Sequence, residues 1–249
     1  MKKEEFKNGV LYLGDCLDVL QTIPQNTAEI AITSPPYNLH GYLERQTTTK
    51  TSRSMTKKFE TWYKETGDEE LYQSQQKEML EMLVSICRSS IFYNHKIRYT
   101  FHSRNKLKNH NRIYHPIQWI SHPIWCEIIW DKRGIGNPSR RYHISEERIY
   151  QIQKPVKWKN PRSLKNIWSI PPTKNAEHPC TFPPSLVWNC METTTEEGDT
   201  IIDPYIGSGT TAIVAIQNKR RFIGIERDPI YFDTACQRIH NEERQLKLF

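Results

Sequence analysis

The chain has 249 residues, enough to bury one large mixed α/β core, so we expect a single domain. Lys and Arg outnumber Asp and Glu by 35 to 28, and the resulting net charge of +7 favours a polyanionic partner. The six cysteines show no C-x-x-C or zinc-ligand spacing, which argues against disulfide-stapled and zinc-finger classes. No apolar run reaches membrane-spanning length, and the opening MKKEEFKNG is too polar for a signal peptide. We therefore expect an intracellular protein of the cytoplasm or nucleoid, or of the nucleus in a eukaryote.

The first predicted unit is a strand, a turn and a helix. Residues 11–13 are apolar, and residues 16–20 have helical spacing. A second strand, residues 30–33, runs directly into the sequence SPPY at residues 34–37, the SPPY turn. Because proline cannot continue a central strand, this turn is expected at the carboxyl end of its strand, where open α/β sheets bind ligands.

The middle of the chain is less regular. Residues 41–66 are polar and basic without periodicity and predict a mobile loop. An apolar face at helical spacing predicts a helix over residues 69–89. Strands are expected at residues 90–94 and 127–130, with a short helix between them at residues 116–121.

The last part of the chain combines an irregular segment with the clearest structural unit. Residues 131–175 are rich in Lys, Arg, Trp, Pro and Asn and predict an irregular inserted subdomain. A strand at residues 200–203 then leads through PYIGSG into a helix at residues 210–217, and a strand follows at residues 221–225.

This strand–loop–helix–strand unit has the pattern of a nucleotide-like cofactor site. Asp203 ends a strand, and Gly207 and Gly209 permit close approach of a ligand to the backbone at a helix N-terminus. Glu226 ends the next strand, where it is placed to accept hydrogen bonds from ribose hydroxyls. The alternative for the glycines is a tight strand-to-helix turn without a ligand.

The SPPY turn has a chemistry suited to an amine. An exocyclic amine of a base becomes nucleophilic when acceptors draw its hydrogens out of the ring plane. The Ser34 hydroxyl and the Pro35 carbonyl can serve as those acceptors, and the Tyr37 ring offers a stacking surface for a flipped base. An ordinary proline turn is the alternative.

Five motifs in order, LYLGDCLDVL, TSPPYN, HPCTFP, DPYIGSGTT and FIGIERD, resemble the beta class of DNA amino-methyltransferases. The resemblance covers nearly the whole chain. It implies a Rossmann-like α/β methyltransferase fold with a mostly parallel sheet, an antiparallel edge hairpin and a small recognition insert at residues 131–175. It also implies S-adenosyl-L-methionine as cofactor, double-stranded DNA as substrate and no metal.

The resemblance assigns roles to individual residues. The catalytic set it implies is Ser34, Pro35, Pro36 and Tyr37. The cofactor set it implies is Asp15, Cys16, His178, Thr181, Phe182, Asp203, Tyr205, Gly207, Ser208, Gly209, Thr210 and Glu226. Ser before Pro-Pro-Tyr favours N4 of cytosine as the methylated atom, with N6 of adenine as the alternative.

The dipeptide Pro179-Cys180 raises the alternative of a cysteine nucleophile that attacks the cytosine ring. In methyltransferases of that kind the Pro-Cys motif follows the cofactor loop, whereas here it precedes that loop. The sequence therefore favours direct methyl transfer without a covalent enzyme intermediate.

Basic residues of the loop and the insert are candidates for phosphate contacts, although charged runs are usually solvated surfaces. The candidates are Arg45, Arg53, Arg140, Arg141, Lys157, Lys159 and Arg162. His95 and His102 are candidates for lining the base pocket, with packing or a surface position as the alternative.

The last five residues, from Gln245 to Phe249, resemble the peptide by which bacterial DNA enzymes dock on the replication sliding clamp. The alternative is a terminal helix packed on its own domain. A homodimer is also considered. Three other functions compete with DNA methylation: RNA methylation, an inactive DNA-binding regulator, and a nicotinamide oxidoreductase, which would leave the SPPY turn unexplained.

Overall fold

The computed structural model of the protein describes residues 2–38, 68–100, 112–134, 145–159, 165–173 and 183–245. These residues form a nine-stranded mixed sheet with helices on both faces, and a separate two-stranded sheet, β5–β6. The strands are β1 Lys2–Phe6, β2 Gly9–Leu13, β3 Ile30–Thr33, β4 Ile91–His95, β5 Arg98–Thr100, β6 Arg112–Tyr114, β7 Ile124–Asp131, β8 Glu146–Ile152, β9 Ile167–Ser169, β10 Thr200–Asp203 and β11 Arg221–Glu226. The α-helices are α1 Cys16–Leu20, α2 Glu69–Ile86, α3 Pro184–Thr194, α4 Thr210–Gln217 and α5 Pro229–Gln245.

The strand order of the large sheet is β1-β2-β11-β10-β3-β4-β8-β7-β9. The strands from β2 to β4 in that order are parallel. β8 runs antiparallel to both β4 and β7, and β1 runs antiparallel to β2. This topology confirms the predicted α/β methyltransferase fold, and β9 adds a further parallel strand outside the expected hairpin.

The parallel strands are apolar on both faces because helices cover both sides of the sheet. Ile30 and Ile32 pack with Leu186 and Val187 of α3, on the face that also holds α4 and α5. Ala31, between them, points to the other face with the residues of α1 and α2. The result is a three-layered α/β/α arrangement with a hydrophobic core on each side of the sheet.

The expectation of irregular structure across residues 131–175 is wrong for two segments. Glu146–Ile152 is a full strand between β4 and β7, and Ile167–Ser169 is the outermost strand. The sequence EERIYQI of β8 shows no clean alternation, because Ile149, Tyr150 and Ile152 are all buried on one face or the other. Pairing on both sides, rather than local pattern, makes this segment a strand.

Two predicted helices are shorter than expected. α2 ends at Ile86, since Cys87 leaves helical geometry and Ala28 and Cys87 form a parallel bridge. The expected helix at residues 116–121 is a single 3-10 turn, Pro116–Gln118, capped by the His115 side chain. Within the ranges described above, no helix is both long enough and apolar enough to cross a membrane.

Candidate active site

The carboxyl ends of neighbouring parallel strands bring the two sequence motifs to one edge of the sheet. Glu226 is the last residue of β11, and Asp203 is the last residue of β10. The SPPY turn follows β3, which pairs with β10. The predicted cofactor residues on β10 and β11 therefore lie beside the predicted catalytic turn, at the edge where α/β folds bind ligands.

The Glu226 carboxylate is held by the backbone at both oxygens. Oε2 accepts a hydrogen bond from the Gly207 N–H at 2.9 Å, and Oε1 accepts one from the Asp228 N–H at 2.8 Å. Burial raises the pKa of this carboxyl group, and the backbone donors oppose that rise. A carboxylate oxygen accepts two hydrogen bonds, so this geometry leaves acceptor capacity for a pair of ligand hydroxyls.

Asp203 is the second carboxyl group at this edge and is buried, with 3% of its surface exposed. Its Oδ2 accepts from the Thr211 hydroxyl at 2.7 Å, and its Oδ1 accepts from the Tyr205 N–H at 3.1 Å. Burial raises the pKa of Asp203 to about 7, against an ordinary value of 3.8. Burial therefore favours the protonated form of Asp203 more than it would for an exposed aspartate.

The loop between β10 and α4 has the backbone geometry that its glycines predict. Gly207 and Gly209 have φ angles of 56° and 86°, which residues with a Cβ rarely adopt. Gly209 is the N-cap of α4. The Thr210 hydroxyl is buried and has no hydrogen-bond partner among the described residues. The Ser208 hydroxyl, in contrast, accepts a hydrogen bond from Arg238 of α5 at 2.9 Å.

The turn after β2 closes the other side of this loop. The Gly14 N–H donates to the Glu226 carbonyl at 2.9 Å, so the residues that follow β2 lie against the end of β11. Asp15 caps α1, its Oδ1 accepting from the Leu17 N–H at 3.0 Å. The Cys16 thiol donates to the Tyr205 hydroxyl at 3.2 Å, and burial raises the pKa of this thiol to about 12. Cys16 is therefore a neutral side chain beside the Tyr205 hydroxyl.

These groups fit a nucleoside-type cofactor. The carboxylate with spare acceptor capacity, the glycine backbone at a helix N-terminus and the orphaned Thr210 hydroxyl offer both acceptors and donors in one place. In the part of the chain that the structure describes, no cluster of His, Cys, Asp and Glu has the arrangement of a metal site.

The SPPY turn is tied to β4 and β8 by its two hydroxyl groups. The Tyr37 hydroxyl lies 2.7 Å from Asn94 Oδ1, 3.0 Å from Glu147 Oε2 and 3.0 Å from Ser34 Oγ. Ser34 Oγ also donates to Asn94 Oδ1 at 3.1 Å. Lys132, just beyond the end of β7, donates to the other oxygen of Glu147.

Side chains from α2 and β4 also contact the SPPY turn. The Tyr72 hydroxyl of α2 donates to the Pro36 carbonyl at 2.8 Å and lies 2.7 Å from His95 Nε2. The His95 ring is fully buried, with its centroid 4.8 Å from that of Tyr37. Burial, reinforced by the nearby Arg98, lowers the pKa of His95 to about 3, so this imidazole is neutral. His95 thus packs under Tyr37.

Two of the predicted DNA-binding residues lie at the opposite edge of the sheet. Lys157 pairs with Asp199, which directly precedes β10, at 3.2 Å. Lys159 pairs with Glu196 at 2.8 Å. Both carboxylates precede the amino end of β10, whereas the SPPY turn follows the carboxyl end of β3, so the structure does not bring these lysines to the candidate site.

Several predicted residues lie outside the described ranges, and their roles stay predictions. They are Arg45, Arg53, His102, Arg140, Arg141, Arg162, His178, Pro179, Cys180, Thr181, Phe182 and Phe249. The same holds for the predicted loop at residues 41–66 and for most of the predicted clamp-binding peptide.

The sequence model of the DNA methylase family matches residues 28–237, which include the SPPY turn and the cofactor loop. The chain belongs to the DNA methylase family. This membership confirms the resemblance to the DNA amino-methyltransferases. The Type II methyltransferase M.XycI of Xanthomonas campestris pv. cyanopsidis is 29% identical over 136 residues, which are 48% of this chain and 45% of that protein. The chain matches less than half the length of such curated relatives.

Solved structures share the fold at low sequence identity. PvuII DNA methyltransferase, described as cytosine-N4-specific, superposes with a TM-score of 0.69 at 19% identity, over 96% of this chain and 92% of that one. TTHA0409 of Thermus thermophilus, a candidate DNA modification methylase solved with S-adenosyl-L-methionine, gives a TM-score of 0.65 at 20% identity, over 93% of each chain.

Sequence reasoning missed the side chains that surround the Tyr37 hydroxyl. Asn94 was visible only as the end of a predicted strand, and Glu147 and Lys132 fell in the segment expected to be irregular. A polar residue at the carboxyl end of a buried strand is the one signal that pointed to Asn94. Nothing in the sequence distinguishes Glu147 from its neighbour Glu146.

Proposed function

We propose that this protein transfers a methyl group from S-adenosyl-L-methionine to the exocyclic amine of a base in DNA, namely N4 of cytosine. The observation that carries the proposal is the position of Glu226, Asp203 and the SPPY turn at the ends of the adjacent strands β11, β10 and β3. A cofactor held by the first two lies next to a base held by the third. Family membership and the net charge of +7 support DNA as the substrate.

When bound, the cofactor supplies a methyl group made electrophilic by a sulfonium sulfur. Glu226 would hold the ribose hydroxyls, and the loop from Tyr205 to Thr210, with Asp203, would hold the methionine half. Asp15 and Cys16 would line the adenine side. Burial of Asp203, Ser208 and Thr210 keeps water from this part of the loop and would strengthen its hydrogen bonds to the cofactor.

The residues of the SPPY turn act on the target base. The base must leave the duplex to reach this edge of the sheet, and it then stacks on the partly exposed Tyr37 ring. The Ser34 hydroxyl and the Pro35 carbonyl accept the two amine hydrogens, which directs the nitrogen lone pair away from the ring. Tyr72 already occupies the Pro36 carbonyl, and this contact fixes the direction of the turn.

The resemblance to the DNA amino-methyltransferases, in which Ser before Pro-Pro-Tyr goes with cytosine, favours cytosine over adenine. This chain shares its fold with PvuII DNA methyltransferase, which is described as cytosine-N4-specific. The shared fold is compatible with cytosine as the target base here. Either amine has two hydrogens for Ser34 and Pro35, so N6 of adenine is the alternative target within the same mechanism.

Digestion of methylated DNA to nucleosides, followed by chromatography with mass detection, tests the proposal. We expect N4-methylcytosine, and mapping the modified positions would then give the target sequence. Ser34→Ala should lower kcat by roughly 10²–10³, as expected for loss of one oriented hydrogen-bonding group, while cofactor affinity stays within about twofold.

Detection of N6-methyladenine without N4-methylcytosine would contradict the cytosine assignment. It would leave the proposed amino-methyltransferase activity standing. Transfer of radiolabelled methyl groups to structured RNA in preference to duplex DNA would contradict the DNA substrate. Absence of transfer to either polymer, with cofactor still bound, would indicate a regulator.

A further inference from the structure

Glu147 is a buried carboxylate that no motif of the chain includes. It lies on β8, is 7% exposed, and receives a hydrogen bond from Lys132 at one oxygen and from the Tyr37 hydroxyl at the other. Replacing a buried ion pair with apolar residues of similar volume is often neutral or stabilising, so stability alone is a weak reason for keeping one. The contact with Tyr37 gives this carboxylate a second reason to be there.

The Tyr37 hydroxyl is anchored by three elements at once. Asn94 comes from β4, Glu147 from β8, and Ser34 from the turn itself. At the other end of the ring the backbone is constrained by Pro36, whose carbonyl is bound by Tyr72. The long axis of the ring is held at both ends, and the His95 ring, 4.8 Å away between centroids, limits rotation about that axis. The plane available for stacking is therefore restricted before a base arrives.

Glu147 competes with Asn94 and Ser34 for the proton of the Tyr37 hydroxyl. Ser34 and Tyr37 supply one hydroxyl proton each, and the two protons serve four oxygen–oxygen contacts with Asn94, Glu147 and each other. An ionised acceptor strengthens the hydrogen bond from Tyr37, which leaves Ser34 better able to accept from an incoming amine.

We propose that Glu147, neutralised by Lys132, is a positioning residue that acts through the Tyr37 hydroxyl to orient the ring that receives the flipped base. The proposal rests on the function proposed above. It distinguishes Glu147 from Glu146, whose side chain points to the opposite face of β8 and pairs with Arg148 at 3.5 Å.

A cofactor-free and DNA-free measurement tests the orientation directly. The protein is labelled with 3-fluorotyrosine, and the 19F signal of residue 37 is assigned by its loss in Tyr37→Phe. In Glu147→Ala this signal should move toward the shift of free 3-fluorotyrosine, whereas in Glu147→Gln, which keeps an acceptor oxygen, most of the wild-type shift should remain. Glu146→Ala is the matched control and should leave the signal in place.

A double-mutant cycle tests the route through the hydroxyl. On DNA carrying the mapped target, Glu147→Ala should lower kcat roughly tenfold, the effect of losing one hydrogen bond to a charged group, with little change in KM for the cofactor. In the Tyr37→Phe background, which keeps the stacking ring, the same substitution should have almost no further effect. A general structural role would give additive losses.

If Glu147→Ala does not fold, Glu147→Thr takes its place, because the threonine side chain is too short to reach the Tyr37 hydroxyl. Additive losses in the cycle, or an unchanged 19F signal in the Glu147 variants, would overturn the proposal. If the wild type methylates no DNA, the proposed function fails, and the 19F measurement still decides whether Glu147 orients Tyr37.

Discussion

The two edges of the central sheet carry charged residues in opposite ways. At the amino edge, Lys157, Lys159 and Lys219 pair with carboxylates that are themselves at the surface or near it. At the carboxyl edge, Asp203 is buried and Glu226 is partly buried, and the two take their hydrogen bonds from backbone N–H groups and a hydroxyl. The charges at the amino edge neutralise one another in ion pairs. The carboxyl groups at the carboxyl edge can still accept further hydrogen bonds from a ligand.

Charge in the sequence is a poor guide to the site. A lysine that finds a carboxylate across a surface turn is already neutralised and is worth little to a distant polyanion. A carboxylate whose burial costs free energy indicates a site more strongly, because burial without a matching cation needs a compensating role. Three predictions test this difference between the edges.

The largest expected effect concerns cofactor affinity at the carboxyl edge. Asp203→Ala and Glu226→Ala should each weaken S-adenosyl-L-methionine binding at least roughly tenfold, because the first removes a buried acceptor and the second a partly buried one. Isothermal titration calorimetry on the purified variants measures this. Glu196→Ala, which removes a carboxylate at the amino edge, is the control and should leave the affinity unchanged. Unchanged affinity in both carboxyl-edge variants would remove the cofactor site from this edge.

A smaller effect is expected on DNA binding, and it separates two groups of basic residues. Replacing Arg140, Arg141 and Arg162 together with Ala should weaken duplex binding and flatten the slope of log affinity against log salt, by up to about 0.9 for each phosphate that is no longer neutralised. Replacing Lys157 and Lys159 with Ala should leave that slope unchanged, because both lysines are paired at the amino edge.

Fluorescence anisotropy over a range of salt concentrations measures both sets, with cofactor affinity as the check on folding. If the lysine pair changed the slope as much as the arginine set, the amino edge would also face the DNA.

The smallest effect is a pH dependence of stability with opposite signs at the two edges. The pKa of Asp203 is raised from 3.8 to about 7, so its contribution to stability is present below about pH 4 and is lost as the pH rises through 7. Asp203→Asn removes this titration. Its melting temperature relative to the wild type should therefore rise between pH 4 and pH 8, by more than about 2 °C, the shift for roughly 1 kcal/mol in a domain of this size.

Glu196 gives the opposite sign. The hydrogen bond and charge of Lys159, with Lys157, lower the pKa of Glu196, so any stability it contributes is present above its ordinary pKa and is lost as the pH falls. Glu196→Gln should be slightly less stable than the wild type at pH 8, and the difference should shrink as the pH falls below the ordinary pKa of 4.5. Differential scanning calorimetry of both variants across pH checks the pair, and a rise for Glu196→Gln between pH 4 and pH 8 would contradict the comparison.

Much of the cofactor side of the site was determined by the sequence alone. The strand, glycine loop, helix and second strand from Thr200 to Glu226 are contiguous, and each element follows from local pattern. Positive φ at Gly207 and Gly209 is a local backbone property that glycine itself indicates. The SPPY turn was equally readable, because two prolines end a strand wherever they occur.

The surroundings of Tyr37 were decided only by the tertiary structure. Asn94, Glu147 and Lys132 come from three different segments, and they meet because β8 enters the sheet antiparallel between β4 and β7. That pairing depends on contacts between segments far apart in the chain, which no window of the sequence contains. For the same reason the pairing of Lys157 and Lys159 could not be predicted from the sequence. Only the fold brings the carboxylates of Asp199 and Glu196 close enough to neutralise them.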